Sequence, residues 1–154
     1  MKKLYLAYGS NLNTEQMKFR CPDAKIMGTA IIKDYELLFR ISQSGAYLTI
    51  EPKKGESVPV AVWEVSESDI ASLDLYEGYP TFYYKKEMTV TYTGIVSGKK
   101  RRRRAFAYIM HEDRPIGIPS IQYIGKCFDG YRRFGFDVKL LFKAINKSKK
   151  EAKK

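Results

Sequence analysis

The stretch LYLAYGSNL, residues 4–12, carries a strand that runs straight into a glycine turn. Leu4, Leu6 and Tyr8 alternate with Tyr5 and Ala7, the period-two pattern of a strand, and Gly9 ends it. Beyond the turn, TEQMKFR is helix-prone; Asn13 with Gln16 three positions later has the form of an N-cap, and Cys21-Pro22 closes the segment. Strand, turn and helix start therefore fall within about ten residues, a layout whose unpaired backbone N–H groups point outward toward anything anionic. A tight connection with no further role is the competing reading of the same turn.

Working outward, residues 24–41 read as one or two strands and residues 46–50 and 58–65 as two more, parted by the turn-rich PKKGES. SESDIASLDLYEG then switches to the helical period, with Ser66 and Asp69 at capping-box spacing and Gly78 at the expected stop. Residues 83–93 and 104–110 form a hairpin that carries the basic run KKRRRR near its tip. Past Pro119, Ile121, Ile124, Phe128 and Tyr131 make a helical stripe interrupted by Gly125 and Gly130, and Val138, Leu141, Phe142 and Ile145 make a last helix. The expected fold is α+β: a single domain over residues 1–146, built as a small mixed β-barrel or strongly curved mixed sheet with packed helices. A flexible lysine-rich tail over residues 147–154 follows it.

The chain has 154 residues, about one domain, and 44% of them are hydrophobic, enough for one core. No apolar run suits a membrane span, and MKKLYLAYGS is too soon broken by Gly9 to be a leader, so a cytoplasmic location is expected. Of the net charge of +11, the run Lys99–Arg104 supplies six and the tail four, which leaves the body nearly neutral and argues against a nucleic-acid face. Cys21 and Cys127 fit reduced thiols. The single histidine, His111, sits among loop residues with no GxSxG elbow anywhere, and no metal-ligand spacing or phosphate-binding glycine loop is present. No cofactor is expected.

The segment LDLYEG holds the candidate acid. On a helical wheel starting at Ile70, Leu73 falls at about 300 degrees and Glu77 at about 340, on the buried stripe, with Asp74 at about 40. A carboxylate there, at the negative end of the helix dipole, meets both desolvation and an unfavourable potential, so its pKa should rise into the range of a proton carrier. Asp74 is the competing acid, and a plain ion pair of Glu77 with Lys85 or Lys86 is the structural alternative.

The three words LYLAYGSNL, LDLYEGYP and IPSIQYIGKCFDGYRRFGFDVKLLFKAI resemble the opening motif, acid-bearing segment and C-terminal helices of the gamma-glutamylcyclotransferase family. That resemblance implies a small mixed barrel and a metal-independent reaction on a small γ-glutamyl compound, closing its glutamyl group to 5-oxoproline and releasing an amino acid or amine. It places the glutamyl group on Tyr5, Leu6, Ala7, Tyr8, Gly9 and Ser10, with the amides of Gly9, Ser10 and Asn11 holding either its carboxylate or the oxyanion. Glu77 takes the role of general base and acid, and Tyr123 contacts substrate. A homodimer is compatible with the sequence. A non-catalytic member of the same fold, its basic loop and tail meeting an acidic partner, is the second reading.

Overall fold

In the computed structural model, which describes residues 2–152, the opening stretch is a strand, β1 (Lys3–Ala7), and it lies between two others. It pairs antiparallel with β3 (Ala46–Val65) from Lys3 opposite Val65 to Ala7 opposite Ala61, and meets β5 (Lys100–Met110) in parallel at Tyr5 and Phe106. That parallel contact closes a barrel in the order β1, β3, β2, β4, β5, with β2 spanning Lys25–Ile41 and β4 spanning Tyr83–Gly94. Both faces of β1 are covered: Tyr5, Leu6 and Ala7 are all buried. The same holds for Val58–Val62, whose unbroken burial follows from one face pointing into the barrel and the other lying under covering elements.

The first two helices take their ends from the residues the sequence singles out. Asn13 accepts a hydrogen bond from the Gln16 amide at the start of α1 (Thr14–Arg20). Ser66 and Asp69 form a reciprocal capping box at the start of α2 (Glu67–Glu77), and Gly78 closes that helix with φ of 69°. α3 (Ile121–Phe134) and α4 (Lys139–Ala152) pack their buried sides, including Cys127, Tyr131, Leu141 and Ala144, against the barrel and the first turn. Both cysteines are free and buried.

Four expectations change. PKKGES is not a break between strands: β3 runs through it, and a register shift sets residues 53–56 opposite Asp34, whose carboxylate accepts from the Gly55 amide at 3.0 Å. Turn-forming residues thus make a bulge in a long β2–β3 ribbon. The second strand of the hairpin starts before residue 104: the basic run lies beside the tip as expected, but Lys100–Arg104 are already strand, pair with Thr93–Thr89 of β4 and remain exposed. Gly125 and Gly130 do not interrupt α3. The boundary at residue 147 also falls inside a helix: α4 continues to Ala152, Ser148 is buried, and Lys147 lies 3.1 Å from Glu36. Its buried stripe, apolar at Leu141, Ala144 and Ile145 and continued by Ser148, carries the helix past the point where lysines begin to dominate. Residues 153–154 of the expected tail lie outside the described residues.

Candidate active site

β1 delivers its chain end into a 3-10 turn, Ser10–Leu12, before α1 begins. The turn is tied down by the Leu12 amide on the Gly9 carbonyl and the Asn13 amide on the Ser10 carbonyl, each at 3.0 Å. Beside it a cavity of about 220 Å³ opens, lined by Tyr5, Tyr8, Gly9, Ser10 and Asn11 on one side. Glu77, Tyr76 and Gly78 of the α2 end form another side, and Tyr123 of α3 a third. Seven of the nine residues expected at the site therefore meet around one hollow. Leu6 and Ala7 do not line it; they are buried in the β1 ladder opposite Val62 and Ala61.

Burial pushes the Glu77 carboxyl up to about 8, and the positive charge of Arg20 opposes that rise only in part. Among the described residues, no side chain donates a hydrogen bond to it. Lys85, one of the two partners expected of a purely structural Glu77, instead holds Asp74 at 2.9 Å, and Asp74 also accepts from the Tyr108 hydroxyl at 2.5 Å. The two acids of α2 are thus separated by direction: Asp74 is neutralised outside the hollow, whereas Glu77 is left desolvated inside it. Burial raises the phenols of Tyr5, Tyr8 and Tyr83 as well, with the Glu77 charge adding to each, so they stay protonated donors through neutral pH.

Several wall residues carry no local signal. The β2–β3 turn contributes Ser42, Gln43 and Ser44, followed by Tyr47 and Leu48 at the start of β3; Phe82 and Tyr83 come from the opening of β4 and Tyr108 from β5. Tyr76, the residue before the acid, lines the hollow and shares a hydrogen bond of 2.9 Å with the Ser10 hydroxyl. Tyr79 does not line it and packs instead on Tyr108. His111 faces the Pro80 carbonyl at 2.8 Å, away from the cavity.

Tyr123 has a definite structural task. Its hydroxyl accepts from the Leu48 amide at 3.0 Å while the Tyr83 hydroxyl donates to the Leu48 carbonyl at 2.9 Å, so both backbone groups of Leu48 are held by cavity tyrosines. Tyr123→Phe leaves the Leu48 N–H without that acceptor and is expected to cost about 1–2 kcal/mol. Thermal unfolding checks this, with a Tm lower by roughly 3–6 °C; an unchanged Tm would mean that water restores the bond.

Fold and site together define a small mixed-barrel protein with an acid-bearing, tyrosine-walled cavity beside a backbone turn. Residues 5–124 match the family described as Gamma-glutamyl cyclotransferase, AIG2-like, and the chain belongs to that family. The gamma-glutamylcyclotransferases of Bos taurus and Homo sapiens are each 34% identical to it over 128 residues, covering 78% of this chain and 65% of theirs. The chain thus spans just under two thirds of the length of those relatives. A solved gamma-glutamyl cyclotransferase superposes with a TM-score of 0.78 at 30% identity, covering 94% of this chain and 86% of the other. An uncharacterized protein from Homo sapiens does so with a TM-score of 0.74 at 29% identity, covering 93% and 86%.

Proposed function

We propose that the protein is a cyclotransferase that converts γ-glutamyl compounds to 5-oxoproline and a free amine, with Glu77 moving the proton. The observation that carries this reading is the placement of the desolvated Glu77 in the same cavity as the Tyr8–Asn11 turn. The substrate's α-amine and γ-carbonyl belong to one molecule, so holding the folded conformer converts attack into a ring closure with high effective molarity. At neutral pH that amine is an ammonium. Glu77 takes one ammonium proton, the freed lone pair forms the new C–N bond of the ring, the old C–N bond breaks as that proton passes to the departing nitrogen, and the second proton shed by the ring nitrogen leaves on the released amine as its ammonium. Atoms and charge balance without a covalent enzyme intermediate or a redox partner.

A carboxylate near pKa 8 suits both transfers, because it is basic enough to accept and acidic enough to return the proton. The turn's leading amides offer donors to the anionic end of the substrate, and Tyr5 and Tyr123, whose hydroxyls accept from Asn11 and Leu48, keep a proton to donate while the ring walls exclude water. A cavity of about 220 Å³ accommodates a glutamyl group with a small leaving group. An amino acid as leaving group, a cytoplasmic location and a homodimer belong to this proposal. Among the described residues, no helix is long and apolar enough to cross a membrane.

The test is incubation with a panel of γ-glutamyl amino acids and γ-glutamyl amines, reading 5-oxoproline and released amine in equal amounts. Absence of both across the panel would overturn the reading. Converting Arg101–Arg104 to glutamine separates catalysis from any role of the basic strand: those residues lie exposed on β5, outside the cavity lining. Activity should stay within about twofold of wild type, as for surface changes distant from a site; a collapse of kcat/KM would tie the strand to substrate capture.

A further inference from the structure

Arg20, the last residue of α1, does not line the cavity, yet it touches two of the walls that face Glu77. Its guanidinium carbon stands 3.4 Å from the ring centroid of Tyr76, the residue preceding Glu77. One guanidinium nitrogen donates to the side-chain oxygen of Asn11, whose amide nitrogen in turn donates to the Tyr5 hydroxyl at 2.9 Å. Tyr76 shares its hydrogen bond with Ser10. The turn and the end of α2 are therefore joined twice, through Asn11–Arg20–Tyr76 and through Ser10–Tyr76. α2 also has no basic residue in its last turn, so Arg20 reaches from a different helix toward the terminus where carbonyls accumulate negative potential.

We propose that Arg20 is the positioning residue of this site: from behind the cavity wall it locks the backbone turn to the end of α2 and holds a fixed positive charge beside the last turn that bears Glu77. The proposal rests on the cyclotransferase reading only for its kinetic consequence; the titration of Glu77 is a property of the protein alone. The groups that face Glu77 are Tyr5 of β1, Tyr8 just after that strand, Tyr76 of its own helix, Tyr83 of β4, Tyr108 of β5 and Arg20 of α1. The five phenols are all raised above their ordinary range, chiefly by burial, and remain neutral while Glu77 titrates. Among these groups Arg20 is the one permanent charge. It lowers both Glu77 and Tyr5, opposing the effect of burial.

A planar guanidinium can stack on Tyr76 and fork to Asn11 at once, whereas an ammonium supplies the charge without that geometry. Charge and placement can therefore be separated by R20K and R20Q. The Glu77 titration is read by carbon NMR on protein labelled at the glutamate carboxyls, with E77Q identifying the signal. In wild type the midpoint should lie near 8. In R20Q it should rise by roughly one pH unit, the lower end of what an opposite charge at close range supplies. R20K should keep the wild-type midpoint but lose roughly tenfold in kcat, because the turn and α2 are no longer locked. The acid limb of kcat/KM should move with the midpoint in each variant.

An unmoved midpoint in a folded R20Q protein overturns the proposal, as does R20K with full kcat. R20M, neutral with a similar apolar stem, replaces R20Q should that variant be insoluble. The NMR midpoint needs no turnover, so inactivity of wild type toward every γ-glutamyl compound would defeat the cyclotransferase reading and leave this titration result standing.

Discussion

Glu77→Gln is expected to lower kcat/KM for 5-oxoproline formation by roughly 100-fold or more with the fold intact, the scale of a lost general base. Glutamine fills the same volume beside the Tyr8–Asn11 turn, so shape and the turn's amides survive and only the proton carrier is gone. A second measurement on the same pair tests the origin of the basicity. The folded protein holds the Glu77 proton up to about pH 8, whereas an unfolded chain releases it near 4.5. Below both values the two states bind it equally. As pH rises through that window the folded state must keep or expend a proton that the unfolded state gives up freely, so wild-type stability declines. The variant has no such group. Relative to wild type it should gain about 1–3 kcal/mol between pH 5 and pH 9, less than full burial would give because Glu77 is only partly covered. Urea midpoints at pH 5, 7 and 9 measure this. Parallel curves for the two proteins would mean that Glu77 is not desolvated, and an active variant would return the reaction to Asp74.

Local signals carried much of this architecture. The word YGSN marked the turn because a strand period ends abruptly at a residue that tolerates any backbone geometry, and Ser66, Asp69 and Gly78 marked both ends of α2 because caps are chemistry within four residues. The helical wheel put Glu77 inward for the same reason: its relation to Ile70 and Leu73 is fixed by one helix. What lay hidden depends on pairing over long separations. Nothing near Ser42 announces that the β2–β3 turn bends over the cavity, since that follows from how the ribbon coils around the barrel. Arg20 was silent too, read only as the end of a helix, because its partners Asn11 and Tyr76 are brought to it by different elements. PKKGES misled because bulges and turns use the same residues; only the opposing Asp34, with its positive φ of 61°, distinguishes them. Asp74 and Glu77 looked interchangeable from sequence, and it is Lys85 and Tyr108, on separate strands, that take Asp74 out of contention.

Gly130→Ala should be a damaging small change away from the cavity lining, and it links the packing of α3 to the site. A Cβ at residue 130 would stand 2.4 Å from the Leu12 Cβ and 2.9 Å from the Leu12 carbonyl carbon. Leu12 is fully buried at the end of the 3-10 turn that carries Ser10 and Asn11, so the turn has no solvent side into which it can retreat. Either α3 moves out, which pulls Tyr123 from Leu48, or the turn shifts inward toward Glu77. The expected cost is about 1–3 kcal/mol from overpacking, together with a loss of roughly 100-fold in kcat/KM from a turn displaced on the order of 1 Å. Gly125→Ala in the same helix provides the comparison. No atom lies within 4 Å of a Cβ built there, so alanine contributes only its helix preference. That variant should be more stable by about 0.5–1 kcal/mol with unchanged activity. The helix propensity is the same at both positions, so opposite signs for the pair isolate the contact with Leu12 as the cause. If Gly130→Ala is instead stabilising and fully active, α3 does not press on the turn, and the position of the backbone amides must be set from the α1 and α2 side alone.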